Sequence, residues 1–330
     1  MKKFFLILTL CMISVTASAQ GLLSGLLGGS ETPKGPRVKF YEGDSKAEEE
    51  ILYLKLNGII QEKEKEEDDS TLMSLRNKKS ILEILKEDLS LAAQRDAVKA
   101  VYIEINSPGG EVTCSDLIHH MFKKFYAETK KPIIAHIGSV GASGAYYAAC
   151  GCNKIYALPT SMIGSIGVLL QSMNVEELAA KLGIKAVNVK SDKTPMKDVL
   201  SPFREMTEEE RAMLLELVED AYQRFVDIVA EGRKLNREDV IKLANGSVYT
   251  AQKALKLGLV DGIAYRDEVA AEICKMLDIK SVAIVKKVED KNPLSDLLSV
   301  FSEKSSDIRP ILDSFVKQLQ VGNQPVLMFR

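Results

Sequence analysis

Apolar positions along the chain recur in two alternating rhythms. Ile51-Leu52-Tyr53-Leu54-Lys55-Leu56 is a nearly continuous apolar run and predicts a first strand. Ile81, Leu82, Leu85 and Leu89 then recur at helical spacing. Val98 to Ile105, with Val101, Ile103 and Ile105 alternating, predicts a second strand. It runs into Asn106-Ser107-Pro108-Gly109-Gly110, whose composition predicts a turn. The cycle returns as a helix over 111–129, a strand over 132–137, a short helix over 144–150, strands over 154–158 and 164–171, a helix over 175–182 and a strand over 186–190. From Thr207 the rhythm is helical only. Thr207-Glu208-Glu209-Glu210 reads as a capping box ahead of an amphipathic run to about Arg233. Helices over 236–244, 251–257 and 268–277 follow. The pattern predicts one α/β domain with a helical C-terminal extension.

The flanks carry different signals. Lys2 and Lys3, the apolar run Phe4 to Val15 and Ala17-Ser18-Ala19 before Gln20 form a positive, an apolar and a small-residue region in the order of an export signal. Phe4 to Ala19 is short for a membrane span, which needs ~20 apolar residues. If uncleaved, its continuation through Gly21 to Gly29 makes an anchor. Either way the bulk of the chain is expected outside the cytoplasm. Gly28 to Glu49, rich in Gly, Pro and charge, reads as a flexible lead-in. Gln61 to Ser70, with six acidic residues and two Lys, reads as a solvated excursion. The expected boundaries are a signal peptide or uncleaved anchor over 1–19, a lead-in over 20–49, a main domain over 50–280 and a tail over 281–330.

Composition narrows the chemistry. The 330 residues carry 44 Lys+Arg against 46 Asp+Glu, a net charge of −2, which excludes a broadly basic nucleic-acid binder. Only three histidines are present, His119, His120 and His136, expected at the surface or, for His136, within a strand. That argues against a multi-histidine metal site and against a histidine-based hydrolase, and no cofactor or metal is expected. Five Cys are too few for a disulfide scaffold in a chain this long. Cys150 and Cys152 read as small buried residues beside a helix end, with Cys114 and Cys274 elsewhere and a disulfide left open.

Three glycine-rich segments follow apolar strands: 107–110, 138–144 and Gly164-Ser165-Ile166-Gly167. Glycine there lets backbone N–H groups converge on one point, able to hold a phosphate or a developing oxyanion. No phosphate-loop or dinucleotide fingerprint is present. Ser143 heads the small, apolar run Gly144-Ala145-Tyr146-Tyr147-Ala148-Ala149, as an N-cap or as a nucleophile. A nucleophile needs a base, and a lysine serves if held neutral, which requires lowering its pKa from ~10.4 by about three units. Lys190, Lys193 and Lys197 are candidates, Lys197 lying among Met196, Val199 and Leu200.

Taken together, 106–110, Ala142-Ser143-Gly144-Ala145-Tyr146-Tyr147, Gly164-Ser165-Ile166-Gly167-Val168 and Lys197-Asp198-Val199-Leu200-Ser201-Pro202-Phe203-Arg204 resemble the signal peptide peptidase A family of serine peptidases, peptidase family S49. The helical end, 248–254 with Gly258-Leu259-Val260-Asp261, matches as well. The resemblance covers most of 51–270. It implies a crotonase- or Clp-protease-like fold of strand–strand–helix units and a Ser/Lys dyad. In it Ser143 is the nucleophile, Lys197 the general base and acid, Ser165 the residue that orients the lysine, and the N–H groups of Gly110 and Gly144 the oxyanion hole. It further implies a membrane-associated ring of single-domain subunits, eight in the family pattern, cleaving apolar peptides that include released signal peptides. Two departures stand out: Ala145 replaces the usual second glycine, and the stretch from Lys190 to Lys197 is about two residues longer, bringing in Lys193. An acyl-CoA enzyme of the crotonase kind is disfavoured by the export signal, and a non-catalytic scaffold of the same fold by the presence of both Ser143 and Lys197.

Overall fold

The computed structural model of the chain describes residues 37–62 and 79–288. The chain divides into Met1–Val38 and Lys39–Arg330, and the architecture below is that of the second unit, β1 beginning at the division. The expected signal segment, most of the lead-in, nearly all of the acidic excursion and the end of the tail lie outside the described residues.

Strand β2 (Glu50–Ile60) pairs in parallel with β3 (Val98–Gly110), and β3 with β4 (Ile133–Ala142). The connections are helices α1 (Ile81–Gln94) and α2 (Val112–Thr129). Beyond β4 come α3 (Gly144–Ala149), β5 (Lys154–Ala157) and β6 (Met162–Gly164). The sheet order is β1 (Val38–Gly43), β9 (Ala283–Lys287), β2, β3, β4, β5, β8 (Gly262–Ile263). β6 pairs with β4 beside β5 and, antiparallel, with β7 (Val248–Thr250).

The central strands are apolar on both sides because both sides are covered. Ile51, Tyr53, Ala100, Tyr102 and Ile134 face α8 (Arg266–Leu277), packing on Val269 and Ile273. Residues of the opposite parity, among them Leu52, Leu54, Val101, Ile103, Ile105, Ile133 and Ala135, are equally buried. On β3, α3 packs together with α2.

Each central strand has two parts. β3 pairs with β2 in register as far as Asn57↔Asn106, then resumes at Ile59↔Gly109 and Ile60↔Gly110, one residue longer on β3. β4 pairs with β5 over Ile134–Ile137 and with β6 over Val140–Ala142. Strand, offset strand, then helix is thus the recurring unit. This gives physical form to the expected α/β fold of strand–strand–helix units.

Four sequence expectations are corrected. Residues 106–110 are not a free turn: the bulge keeps the chain paired with Ile59 and Ile60, and Gly109 takes φ +102° to do so. The strand expected over 164–171 is confined to Met162–Gly164, because Gly164 (φ +109°) and Ser165 (φ +49°) turn the backbone away from β4. Residues 186–190 are not a strand: Val187 and Val189 are 82% and 95% exposed and no neighbouring strand meets them. Lastly, the sheet reaches past the expected domain limits at both ends, since β1 falls in the expected lead-in and β9 in the expected tail.

The helical end agrees closely with its pattern. α5 (Glu208–Arg233) opens with a capping box in which Thr207 Oγ1 accepts from Glu210 N–H (3.2 Å) and the Glu210 carboxylate accepts from Thr207 N–H (2.9 Å). Short helices α4 (Glu176–Lys181), α6 (Arg237–Leu243) and α7 (Ala251–Lys256) complete the fold. Among the described residues, no helix is long and apolar enough to cross a membrane.

Candidate active site

β4 ends in a three-residue exit that fixes one side chain. Gly141 is paired with Ser107 and Ala142 with Gly164, so the strand is held from both sides up to its last residue. The next residue, Ser143, then adopts φ +52°, ψ −128° and donates its N–H to Gly164 O at 2.8 Å. A non-glycine residue in this region is strained by contact of Cβ with its own backbone, and such strain persists only where the surroundings enforce it. Ser143 makes no side-chain capping bond to α3, which removes the N-cap reading of this serine. It is only partly buried.

Two glycine-bearing backbones close around it. A Cβ on Gly109 would lie 2.7 Å from both Gly144 N and Ser143 Cβ. A Cβ on Gly144 would lie 3.3 Å from Gly110 N and 2.2 Å from Ser115 Oγ. The N–H of Gly110, at the end of β3, and that of Gly144, in the first turn of α3, therefore belong to one small region beside Ser143. First-turn N–H groups have no acceptor within their own helix. Such a region can hold a negative oxygen next to a hydroxyl.

Ser165 follows the residue that accepts from Ser143 N–H, and has the second strained serine backbone of the region. Its own N–H donates to Ser247 O at 2.7 Å. Ser143, Gly110, Gly144 and Ser165 are accordingly brought to one corner by β3, β4 and β6.

Lys197 is not. It lies on a single 3₁₀ turn, Pro195–Asp198, exposed to solvent. Among the described residues, its ammonium has no hydrogen-bond or ion-pair partner. Lys193 is also exposed. Lys190 is engaged, donating to Pro195 O at 2.6 Å and pairing with Asp198. The turn is moored by Arg204, which bonds Asp198 Oδ1 at 2.8 Å, Asp198 O at 3.0 Å and the Glu210 carboxylate. That guanidinium and Lys190 hold the Asp198 carboxyl far below the usual range, and Arg204 holds Glu210 down to about 2.

The histidines are more buried than expected. His136 is 3% exposed, its Nδ1 against Tyr102 OH and its Nε2 3.0 Å from Ala264 O. His119 packs edge-on to Tyr147, and burial pushes its imidazole down to about 4. His136 lies within a strand as expected, His119 is buried where a surface position was expected, and His120 is at the surface. The four cysteines among the described residues are free. Burial pushes the Cys150 thiol up to about 12 and the Cys114 thiol to about 11. Among the described residues, no group of three or more His, Cys, Asp or Glu is placed to hold a metal ion.

Three contributors escape sequence reasoning: Ser107, whose Oγ accepts from Gly109 N–H, Ser115 beneath Gly144, and the Arg204 mooring. Ser107 and Arg204 stand inside quoted motifs but carry no signal of these bonds, and Ser115 carries no signal at all.

The sequence is similar to known proteins over much of this domain. The sequence model described as Peptidase family S49 matches residues 126–280, a span that contains Ser143, Ser165 and Lys197 and begins after Gly110. A Synechocystis sp. protein named as a protease is 36% identical over 219 residues, covering 66% of this chain and 76% of that one. An Enterococcus faecium protein named as a signal peptide peptidase, SppA, is 35% identical over 246 residues, 73% of this chain and 67% of that one. A Methanocaldococcus jannaschii protein named as a protease is 34% identical over 197 residues, and there the match spans 60% of this chain and only 62% of the relative. With an α/β core of strand–strand–helix units and relatives of this similarity along most of their length, the chain belongs to peptidase family S49.

Proposed function

We propose that the chain is a serine endopeptidase in which Ser143 is the nucleophile and Lys197 the general base and acid. The observation that carries the reading is the strained Ser143 backbone (φ +52°) beside the N–H groups of Gly110 and Gly144. Ser143 Oγ attacks the scissile carbonyl carbon as its proton passes to the lysine Nζ. The carbonyl oxygen becomes an oxyanion that accepts from Gly110 and Gly144 N–H, each such donor being worth ~3 kcal/mol. Collapse breaks the C–N bond, the lysine returns the proton to the leaving amine, and water hydrolyses the acyl-serine by the same route in reverse. Ser165 orients the lysine.

Lys197 is exposed and, among the described residues, without a partner, which supports a dyad completed between copies, the lysine of one subunit serving the serine of another. The stretch that bears it displays Leu169, Met173, Leu182, Val187 and Val189, all more than half exposed, the surface a ring of subunits would cover. An apolar chamber of this kind suits apolar peptides, including signal peptides released at a membrane, and the export pattern of Lys2 to Ala19 supports action outside the cytoplasm.

The test is cleavage of an apolar signal-peptide-like substrate by wild type, Ser143→Ala, Lys193→Ala and Lys197→Ala. Loss in the Ser143 and Lys197 variants alone is expected. Mixing those two inactive variants should restore part of the activity. Retained activity in Ser143→Ala overturns the nucleophile, loss in Lys193→Ala with retention in Lys197→Ala moves the base, and failure of mixing to restore activity overturns the shared dyad.

A further inference from the structure

The motif at the end of β3 contains one polar side chain that the proposed chemistry leaves unused. Ser107 is fully buried (0% exposed), sits where the β3 register shifts against both β2 and β4, and accepts Gly109 N–H on its Oγ at 3.1 Å. Pro108 has no N–H. With Gly109 N–H turned back onto Ser107, the next donor along the motif is that of Gly110, the one beside Gly144. Gly109 is held at φ +102° by the same turn, so near Ser143 that a Cβ on it would lie 2.7 Å from Ser143 Cβ.

We propose that Ser107 is a positioning residue that presets the oxyanion hole. By capturing Gly109 N–H it fixes the Pro108–Gly109 peptide plane and, through it, the point from which the Gly109–Gly110 peptide departs, so that Gly110 N–H points to where the oxyanion forms before any substrate arrives. Preorganisation of this kind acts on the transition state and leaves ground-state peptide binding nearly unchanged. Without the hydroxyl a buried N–H loses its acceptor, and the peptide turns to find another. Asn106 Oδ1, which accepts Val140 N–H at 3.2 Å, ties the neighbouring bulge to β4 and keeps the rest of the loop in place.

This inference rests on Ser143 being the nucleophile, and the experiment separates the two. Full-length wild type, Ser143→Ala, Ser107→Ala and Ser107→Cys are compared for kcat, KM, thermal midpoint and inhibition by a peptide aldehyde, whose adduct with a serine places an oxyanion in the hole. Ser107→Ala is expected to lower kcat about 10- to 100-fold, with KM within about twofold, and to weaken the aldehyde by the same factor. Ser107→Cys, which keeps a poorer acceptor of similar size, should fall between and serves as the reporting variant if the alanine protein does not fold. An inactive Ser143→Ala beside Ser107 variants with wild-type kcat overturns the positioning role alone. So does a kcat loss that leaves the aldehyde affinity untouched, or one matched by KM and thermal midpoint, which would mark Ser107 as merely structural. An active Ser143→Ala overturns both readings.

Discussion

Ser115 Oγ occupies the space a side chain on Gly144 would need: a Cβ there would come within 2.2 Å of it, while Oγ itself donates to Glu111 O at 2.8 Å and is thereby fixed. The glycine after Ser143 is required by α2, one helix away. Gly144→Ala should lower stability by ~1–3 kcal/mol through overpacking. Ser115→Gly clears the clash, so denaturation of the double variant should show less loss than the two single losses summed, by more than ~1 kcal/mol. Simple additivity would mean that the two residues do not compete for that space.

Gly110 admits no substitution. A Cβ there would be 1.9 Å from Ile60 O, a backbone atom already accepting Glu111 N–H at 2.7 Å and unable to swing aside. Gly110→Ala should separate the ends of β2 and β3, cost at least ~3 kcal/mol and abolish peptide cleavage. Near-native stability with full activity would contradict the tight β2–β3 junction.

The His119 ring makes the fold sensitive to acid. Burial lowers its folded pKa to about 4, against ~6.5 unfolded. The unfolded state therefore binds the extra proton first, and stability is fully present above pH 6.5 and declines as pH falls from 6.5 toward 4. The loss at the lower end is on the order of 2–3 kcal/mol. His119→Gln should flatten that slope in unfolding curves measured across this window, and an unchanged slope would assign the acid sensitivity elsewhere.

Arg204 should govern the order of the lysine-bearing stretch. Arg204→Met leaves Asp198 and the buried Glu210 without their shared cation. Backbone hydrogen exchange over 190–206 should accelerate while β3 and β4 keep their protection. In the wild type the lowered Glu210 carboxyl works in one direction: its contribution is intact above ~4.5 and is lost as pH falls toward 2. Exchange that rises equally in the sheet would show the clamp to be global instead.

The sequence makes the long elements plain because their signals are local. The Thr207–Glu210 capping box and the apolar rhythm set α5 to the residue, and the runs at 51–56 and 98–105 announce strands covered on both faces. What stays hidden depends on pairing across distance. Val187 and Val189 look like a strand until no partner strand meets them, and Pro108–Gly109 looks like a turn until Ile59 and Ile60 hold it in the sheet. Likewise, Gly110, Gly144, Ser143 and Ser165 share one corner only because β3, β4 and β6 end side by side. Lys197, picked out by its motif, is exposed on a 3₁₀ turn and has no partner among the described residues.

Ser143 is built by sheet pairing, whereas Lys197 is moored by Arg204 to the start of α5. The two are carried by separate pieces of architecture, and a graft of residues 186–206 between homologous chains would transplant the proposed base without rebuilding the proposed nucleophile. For a protein designer the pair is modular: the sheet corner is the chassis, and the moored stretch is the exchangeable part.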